Sequence, residues 1–598
     1  MNHAGLLAQL LLGSMIAGYL MVSAGPESAA APARLSMAKN RAKPTAAGAS
    51  VSTNSPISAP SYAASSAASS ASTFAPASTP RPMNEDQKVV QVLNRMTMGA
   101  APGDFERVKT MGVKAYIASQ LNPNSIAENQ IVVDQVQSAE ILHEKSADLI
   151  KKFRLLAAQK KEKLKSVSAP GSSVETARQL DNSAGSDKAD RTGQTDKPDK
   201  SAAAKEAMQE RQKYVKVVSD QIYKTRMIRA LDSERQLQEV MVDFWYNHFN
   251  ISINKGLDHV LIGAYEEQAI RPNALGRFRD ILGATCYHPA MLFYLDNWQN
   301  AAAGTNLRTP PGLQANGAVK APAKKKGGLN ENYARELMEL HTLGVDGGYT
   351  QTDVIELARV LTGLSLPING YWGQFFPARH DQGTKVILGH TITASGAGEI
   401  EEALDFLSRH PSTAHHISFA LAQYFVADQP PKALVDRLAK RFSESDGDIK
   451  AVLTTLFESH EFFDAQYLNS KYKSPFRYTV SALRASGARP VRYEPIYSFM
   501  RLQGQPLYGC LTPDGYKNTK EAWLNSDALL KRINFATTIG SPATKGPGAM
   551  AQSSQPYDLV LRTVNGGQLS PRTSEVIAKS GEPFKTALLL GSPEFMSY

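Results

Sequence analysis

Residues 330–363 read NENYARELMELHTLGVDGGYTQTDVIELARVLTG and hold two helices separated by a turn. In the first, ENYARELMELHTLG, apolar residues recur at helical spacing and Gly344 stops the run. Asp346-Gly347-Gly348 makes the turn, and Thr350 with Asp353 three positions on has the form of a capping box that opens TDVIELARVLTG. The same period extends in both directions. Upstream lie EDQKVVQVLNRMTMG and APGDFERVKTMGVKAYIASQLNP, broken at Gly112. Ser233 and Gln236 offer a second capping box before QLQEVMVDFWYNHF, whose Leu237, Met241, Phe244 and His248 share one face. Downstream, EIEEALDFLSRH, TAHHISFALAQYFV, PKALVDRLAKRF, DIKAVLTTLFES and FRYTVSALRASG continue it. The strand-like part is 371–392, with Asp381-Gln382-Gly383 as its hairpin loop. No fixed-period repeat occurs. The predicted fold is mainly α, a multi-helix bundle with a small β-hairpin insertion at about 371–392.

Of the 598 residues, 66 are Lys or Arg against 56 Asp or Glu, a net charge of +10. Positions 1–83 carry +4 of this and 151–200 carry +5, which leaves the body near neutral. A nucleic-acid-binding protein concentrates its positive charge on the folded part, so no nucleic-acid partner is expected. Residues 6–22, LLAQLLLGSMIAGYLMV, followed by small residues to Ala24, have the layout of a secretory signal peptide over 1–24; an uncleaved membrane anchor is the alternative. Residues 25–83 are rich in Ala, Ser and Pro and predict a disordered tether. A helical domain is expected over 84–598, interrupted by a disordered charged insertion at 166–204 between two charged helices. No later run of about 18 apolar residues occurs, so no transmembrane body is expected.

Ten of the twelve histidines lie between His248 and His460, which directs the search for chemistry to the central third. His248 stands among Phe244, Trp245, Tyr246 and Phe249, with Asn247 beside it; burial there keeps an imidazole neutral, as a base or ligand requires, or makes it an ordinary core histidine. Asn332, Glu336 and Glu339 approach one helical face. Arg335 is four residues from both Glu331 and Glu339, the spacing of ordinary helix support. Glu336 has no basic partner within its helix and is the carboxylate left free for a site. His341 falls about 140° from Glu336, unlike the paired histidines of a zinc-protease helix. Spacing therefore assigns no metal and no cofactor. Cys286 and Cys510 are the two thiols, and their separation leaves pairing open.

The stretches VLNRMTMGAAPGDFERV, VMVDFWYNHFNIS, HPAMLFYLDNWQN, LNENYARELMELHTLGVDGGYTQTDVIELARVLTG, HDQGTKVILG, HPSTAHHIS, KSPFRYTVSALRASG and LLLGSPEFM together resemble the bacterial "domain of unknown function 1800" family. The resemblance implies a secreted, mainly helical bacterial protein, often encoded beside a second exported protein. It carries over no catalytic residues, because the family has none established.

Two functional classes fit. One is a secreted or periplasmic hydrolase acting on a polymer outside the cytoplasm. In it Glu336 is acid or base, His248 base or ligand and Arg335 an anion clamp, with Asn247 and Asn332 beside them and Asp296, Asn297 and His341 in the binding cleft. The other is a non-catalytic scaffold or maturation partner of another exported protein, in which the same polar residues knit helices together. Export is testable at once. Residues 1–35 fused to a reporter active only outside the cytoplasm are expected to give activity; a reporter that stays silent contradicts both classes.

Overall fold

The computed structural model describes residues 81–166, 200–307, 325–326, 328–540 and 553–598; the expectations for 1–24, for 25–80 and for the 167–199 part of the insertion lie outside them. The first helix, Glu85–Met96 (α1), starts at a reciprocal capping box between Asn84 and Gln87 and buries Val89, Val92, Leu93 and Met96. The charged helices Ser146–Ser166 (α2) and Lys200–Asp232 (α3) pack against each other, so helix reaches into both ends of the expected 166–204 insertion. Gln236–His248 (α4) and Asp258–Tyr265 (α5) form the interior. α5 is apolar on nearly every side, and Gly263 lets it approach α3: a Cβ there would stand 2.7 Å from Ile222 Cγ1.

Two helices widen into π turns. α5 runs on into Glu266–Ile270, and Asn332–Glu336 (α6) runs on into Leu337–Thr342. Gly344, at φ +84, ends the second, where a Cβ would stand 2.9 Å from His416 Nδ1. The Thr350–Asp353 capping box forms as expected ahead of Gln351–Val360.

The C-terminal half stacks Pro411–Phe425 (α7) on Lys432–Glu444, and that helix on Ile449–Phe457. Pro475–Ser486 (α8) lies between α3, Glu494–Leu502 and Ser526–Gly540, and every one of its residues is buried. It nonetheless carries Arg477 and Arg484, two turns apart. Arg477 donates to the carbonyls of Asn94, in the last turn of α1, and of Thr97, just past it. Arg484 donates to the carbonyls of Gly99 and Leu231 and lies 3.4 Å from Asp104. These arginines satisfy chain ends that water cannot reach.

The described residues contain three two-stranded antiparallel ladders. Asn306–Leu307 (β1) pairs with Lys325–Lys326 (β2), Leu364–Ser365 (β3) with Gln374–Phe375 (β4), and Val386–Ile387 (β5) with His390–Thr391 (β6). The mainly helical fold is therefore as expected, but the hairpin loop is not. The β5–β6 turn is Leu388-Gly389, both at positive φ, while Asp381 is held by Arg359 in the preceding loop. The second capping box is likewise absent: α4 begins at Gln236, and Ser233 Oγ accepts from Arg235 N instead. Cys286 and Cys510 are buried free thiols. No described helix is long and apolar enough to cross a membrane.

Arg484→Ala would leave the Asp104 carboxylate and two buried carbonyls short of a donor. It is expected to cost about 3–5 kcal/mol in urea unfolding, whereas replacing the exposed Lys432 costs under about 1 kcal/mol.

Candidate functional site

A cavity of about 330 Å³ lies between α4, α7, the first turn of α8 and the 505–518 segment. α4 contributes Asp243, Phe244, Asn247 and His248, and α7 contributes His416, Phe419 and Gln423. The 505–518 segment is fixed to α4 by a two-way bond. Asn247 Nδ2 donates to Tyr516 O at 2.9 Å and its Oδ1 accepts from Tyr516 N at 2.7 Å. Gly515, at φ +69, makes this approach possible, because a Cβ there would lie 2.3 Å from Asn247 O.

The π turn of α6 sets the state of two cavity histidines. Leu340 and His341 lie in its last turn, so their carbonyls have no donor within the helix and are left to outside donors. His248 Nε2 donates to His341 O at 3.1 Å, and His416 Nε2 donates to Leu340 O at 3.3 Å. A carbonyl only accepts, so both rings carry their proton on Nε2, and Nδ1 is the acceptor in each. Burial, aided by the neighbouring His416, lowers the His248 pKa to about 3, and burial lowers His416 as well. Both are neutral at physiological pH. The His248 and His416 ring centroids are 6.0 Å apart.

Beneath the cavity lies an interior ion network. Arg226 is 3% exposed and bridges Glu266 Oε2 at 2.7 Å and Asp243 Oδ1 at 2.9 Å. Glu266, on the other π turn, also accepts from the Tyr508 hydroxyl at 2.7 Å and from Arg271 Nη2 at 3.3 Å. Arg271 in turn holds Glu239 at 2.5 Å. Tyr508 sits at φ 56, a left-handed conformation costly for a tyrosine, and its bond to Glu266 holds it there.

At the rim, Asp514 pairs with Lys517 at 2.8 Å. Burial opposes its ionisation, but Lys517 and the Thr512 hydroxyl bring its pKa below the ordinary aspartate value. Glu336, one turn before the wall residue Leu340, is shifted the other way. Burial, Glu339 and Asp514 together raise its pKa against Arg335. No described cation lies within 4.0 Å of the Glu336 carboxylate.

The residues expected in one cleft are thus divided. His248 and Asn247 line the cavity; Glu336 does not, but feels the charge of Asp514, which does. Arg335 faces outward, donating to Gln351 at 2.7 Å beside Glu331, because its i−4 partner lies on the exposed side of α6. Asn332 is tied to Leu295 O. Asp296, in a left-handed turn, pairs with Lys255. Asn297 is fully buried and donates to Leu361 O and Leu364 O, joining two loops. None of these four lines the cavity. His341 is buried behind it in a box with Phe249 and Tyr333, neither ring nitrogen bonded. Sequence reasoning missed Asp243, Arg226, Glu266, Tyr508 and His416, which are scattered along the chain. For Asp514 the Pro-Asp-Gly turn was the available signal. Among the described residues, no group of three or more His, Cys, Asp or Glu side chains is placed to hold a metal ion.

Burial likewise takes His288 to about 3 and, together with His248 and His416, holds His341 well below its ordinary value. Below pH 6.5 the unfolded chain protonates these rings and the folded protein does not. Stability is therefore complete above pH 6.5 and falls by about 1.4 kcal/mol per pH unit per fully unmatched histidine as the pH drops toward 3. Thermal scans are expected to show Tm falling from pH 6.5 to 4.5, and His341→Phe is expected to make that fall shallower. An unchanged slope in His341→Phe would remove His341 from the account.

No curated protein and no solved structure matches the chain. One family model does, over residues 91–597, and those residues include the α6 segment, the cavity and the buried helix α8. The chain belongs to the family described as "Protein of unknown function (DUF1800)".

Proposed function

We propose that the protein is an exported bacterial hydrolase, secreted or held in the cell envelope, that cleaves a polymer outside the cytoplasm. The observation that carries this reading is the pair of carboxyl groups near the cavity rim, Glu336 and Asp514, whose surroundings drive their pKa values in opposite directions. Such a pair supplies an acid and a base from the same residue type. Glu336 donates its proton to the leaving group, and Asp514 takes one from the attacking water. His248 Nδ1 accepts a hydrogen bond from the substrate. Arg335 has no part in this assignment, since it faces away.

A second reading, a scaffold or maturation partner for another exported protein, is favoured by one observation. Asn247, Tyr424 and Tyr508 on the cavity wall already bond to partners within the protein. The two readings separate in one experiment. Purified protein is incubated with cell-envelope material and released fragments are measured by mass spectrometry. Wild type is expected to release fragments with a bell-shaped pH profile on the acid side of neutrality, because Asp514 must be ionised and Glu336 protonated. Glu336→Gln is expected to keep or raise Tm while its fragment release falls at least 100-fold; His248→Ala, which leaves the His341 carbonyl without its donor, is expected to lower Tm. A Glu336→Gln protein whose Tm drops by many degrees, with function lost only in proportion to folded protein, gives the case to the scaffold.

A further inference from the structure

We infer that the polymer is a polysaccharide and that the cavity is a saccharide subsite, with the half-buried Phe419 ring against a sugar face and His248 Nδ1 and Gln423 Oε1 accepting from its hydroxyl groups. The inference rests on the hydrolase reading and specifies its substrate.

The cations on the wall are already engaged. Arg226 is held by two carboxylates, Lys517 by Asp514, and Arg477 by the carbonyls at the end of α1. A phosphodiester or sulfated chain would find no uncommitted positive charge there, and a buried anion without one is strongly disfavoured. The serine on the wall, Ser474, is committed as the N-cap of α8, where its Oγ accepts from Arg477 N, and no cysteine lines the cavity. A covalent acyl route therefore lacks a free nucleophile. What the wall leaves open is aromatic surface beside unpaired acceptors. His248 Nδ1 forms no bond among the described residues, and Gln423 uses its amide nitrogen on Asp428 O, leaving Oε1. A pyranose ring matches this combination, with a C–H face for the aromatic ring and hydroxyl donors for the acceptors. In the step itself, water adds its oxygen to the anomeric carbon and Asp514 takes its proton. The anomeric C–O bond breaks with its electron pair passing to the leaving oxygen, which takes the Glu336 proton. One water is consumed and the carboxyl groups re-exchange protons with solvent.

The test uses the full chain carrying Glu336→Gln, titrated calorimetrically with three probes: peptide-free glycan strands from bacterial wall, the matching free peptides, and a glycerol-phosphate polymer. Saturable binding is expected for the glycan strands alone, weakened at least tenfold by Phe419→Ala and by Gln423→Ala, each with Tm checked to confirm folding. Absence of glycan binding, or preference for the peptide or the phosphate polymer, overturns the saccharide assignment. Fragment release by wild type then decides separately whether the hydrolase reading stands: peptide or phosphate fragments sink this inference alone, and no fragments sink both.

Discussion

The ion pair between Arg226 and Glu266 is the contact on which the site depends. Both side chains are withdrawn from water, so either one left alone would cost several kcal/mol. Paired, they tie α3 to the π turn after α5. Through Asp243 the pair reaches α4, and through the Tyr508 hydroxyl it reaches the 505–518 segment. One interior charge thus fixes the relative positions of three helical elements and the loop that closes the cavity. Burial works against Arg226 keeping its charge, but Glu266, Tyr508 and Asp243 outweigh it and hold its pKa above the ordinary value.

A helix widens only where something repays the poorer bonding, and both π turns here serve the same cavity. One carries Glu266 into the ion network. The other turns the carbonyls of Leu340 and His341 outward, where they fix the tautomers of His416 and His248. The helix stops at Gly344, so those carbonyls have no next turn to bond and take the imidazole protons instead. The cavity therefore owes its uncharged, acceptor-bearing wall to the point at which this helix ends. Its acid–base asymmetry comes from Lys517 and the Thr512 hydroxyl on Asp514 and from burial beside Glu339 on Glu336.

Much of this was legible in the residues. The 3.6-residue period gave the helical class, and Gly344, Gly112 and the Thr350–Asp353 cap marked real boundaries. His248 and Asn247 drew attention because a polar pair interrupts an aromatic run, and they do line the cavity. Glu336 drew it because no helix partner was in reach, and among the described residues no cation lies within 4.0 Å of its carboxylate. Arg335, by contrast, shares that helix but points to the opposite side. Asp296 and Asn297 sit in a turn where both are consumed by neighbouring chain. Adjacency along a helix says which residues share a turn and does not say which side of it faces a cavity.

By itself, then, the sequence determined the helical class, the places where helices stop, the uneven placement of histidine and the membership of one family, because these follow from local spacing and composition. Only the tertiary structure decided the site. Arg226, Glu266, His416 and the pair Tyr508 and Asp514 come from four separate segments, and a mainly helical chain has no short-range rule that predicts which of its faces will meet. The π turns were equally hidden, and the donors that the Leu340 and His341 carbonyls find lie as many as 93 residues away.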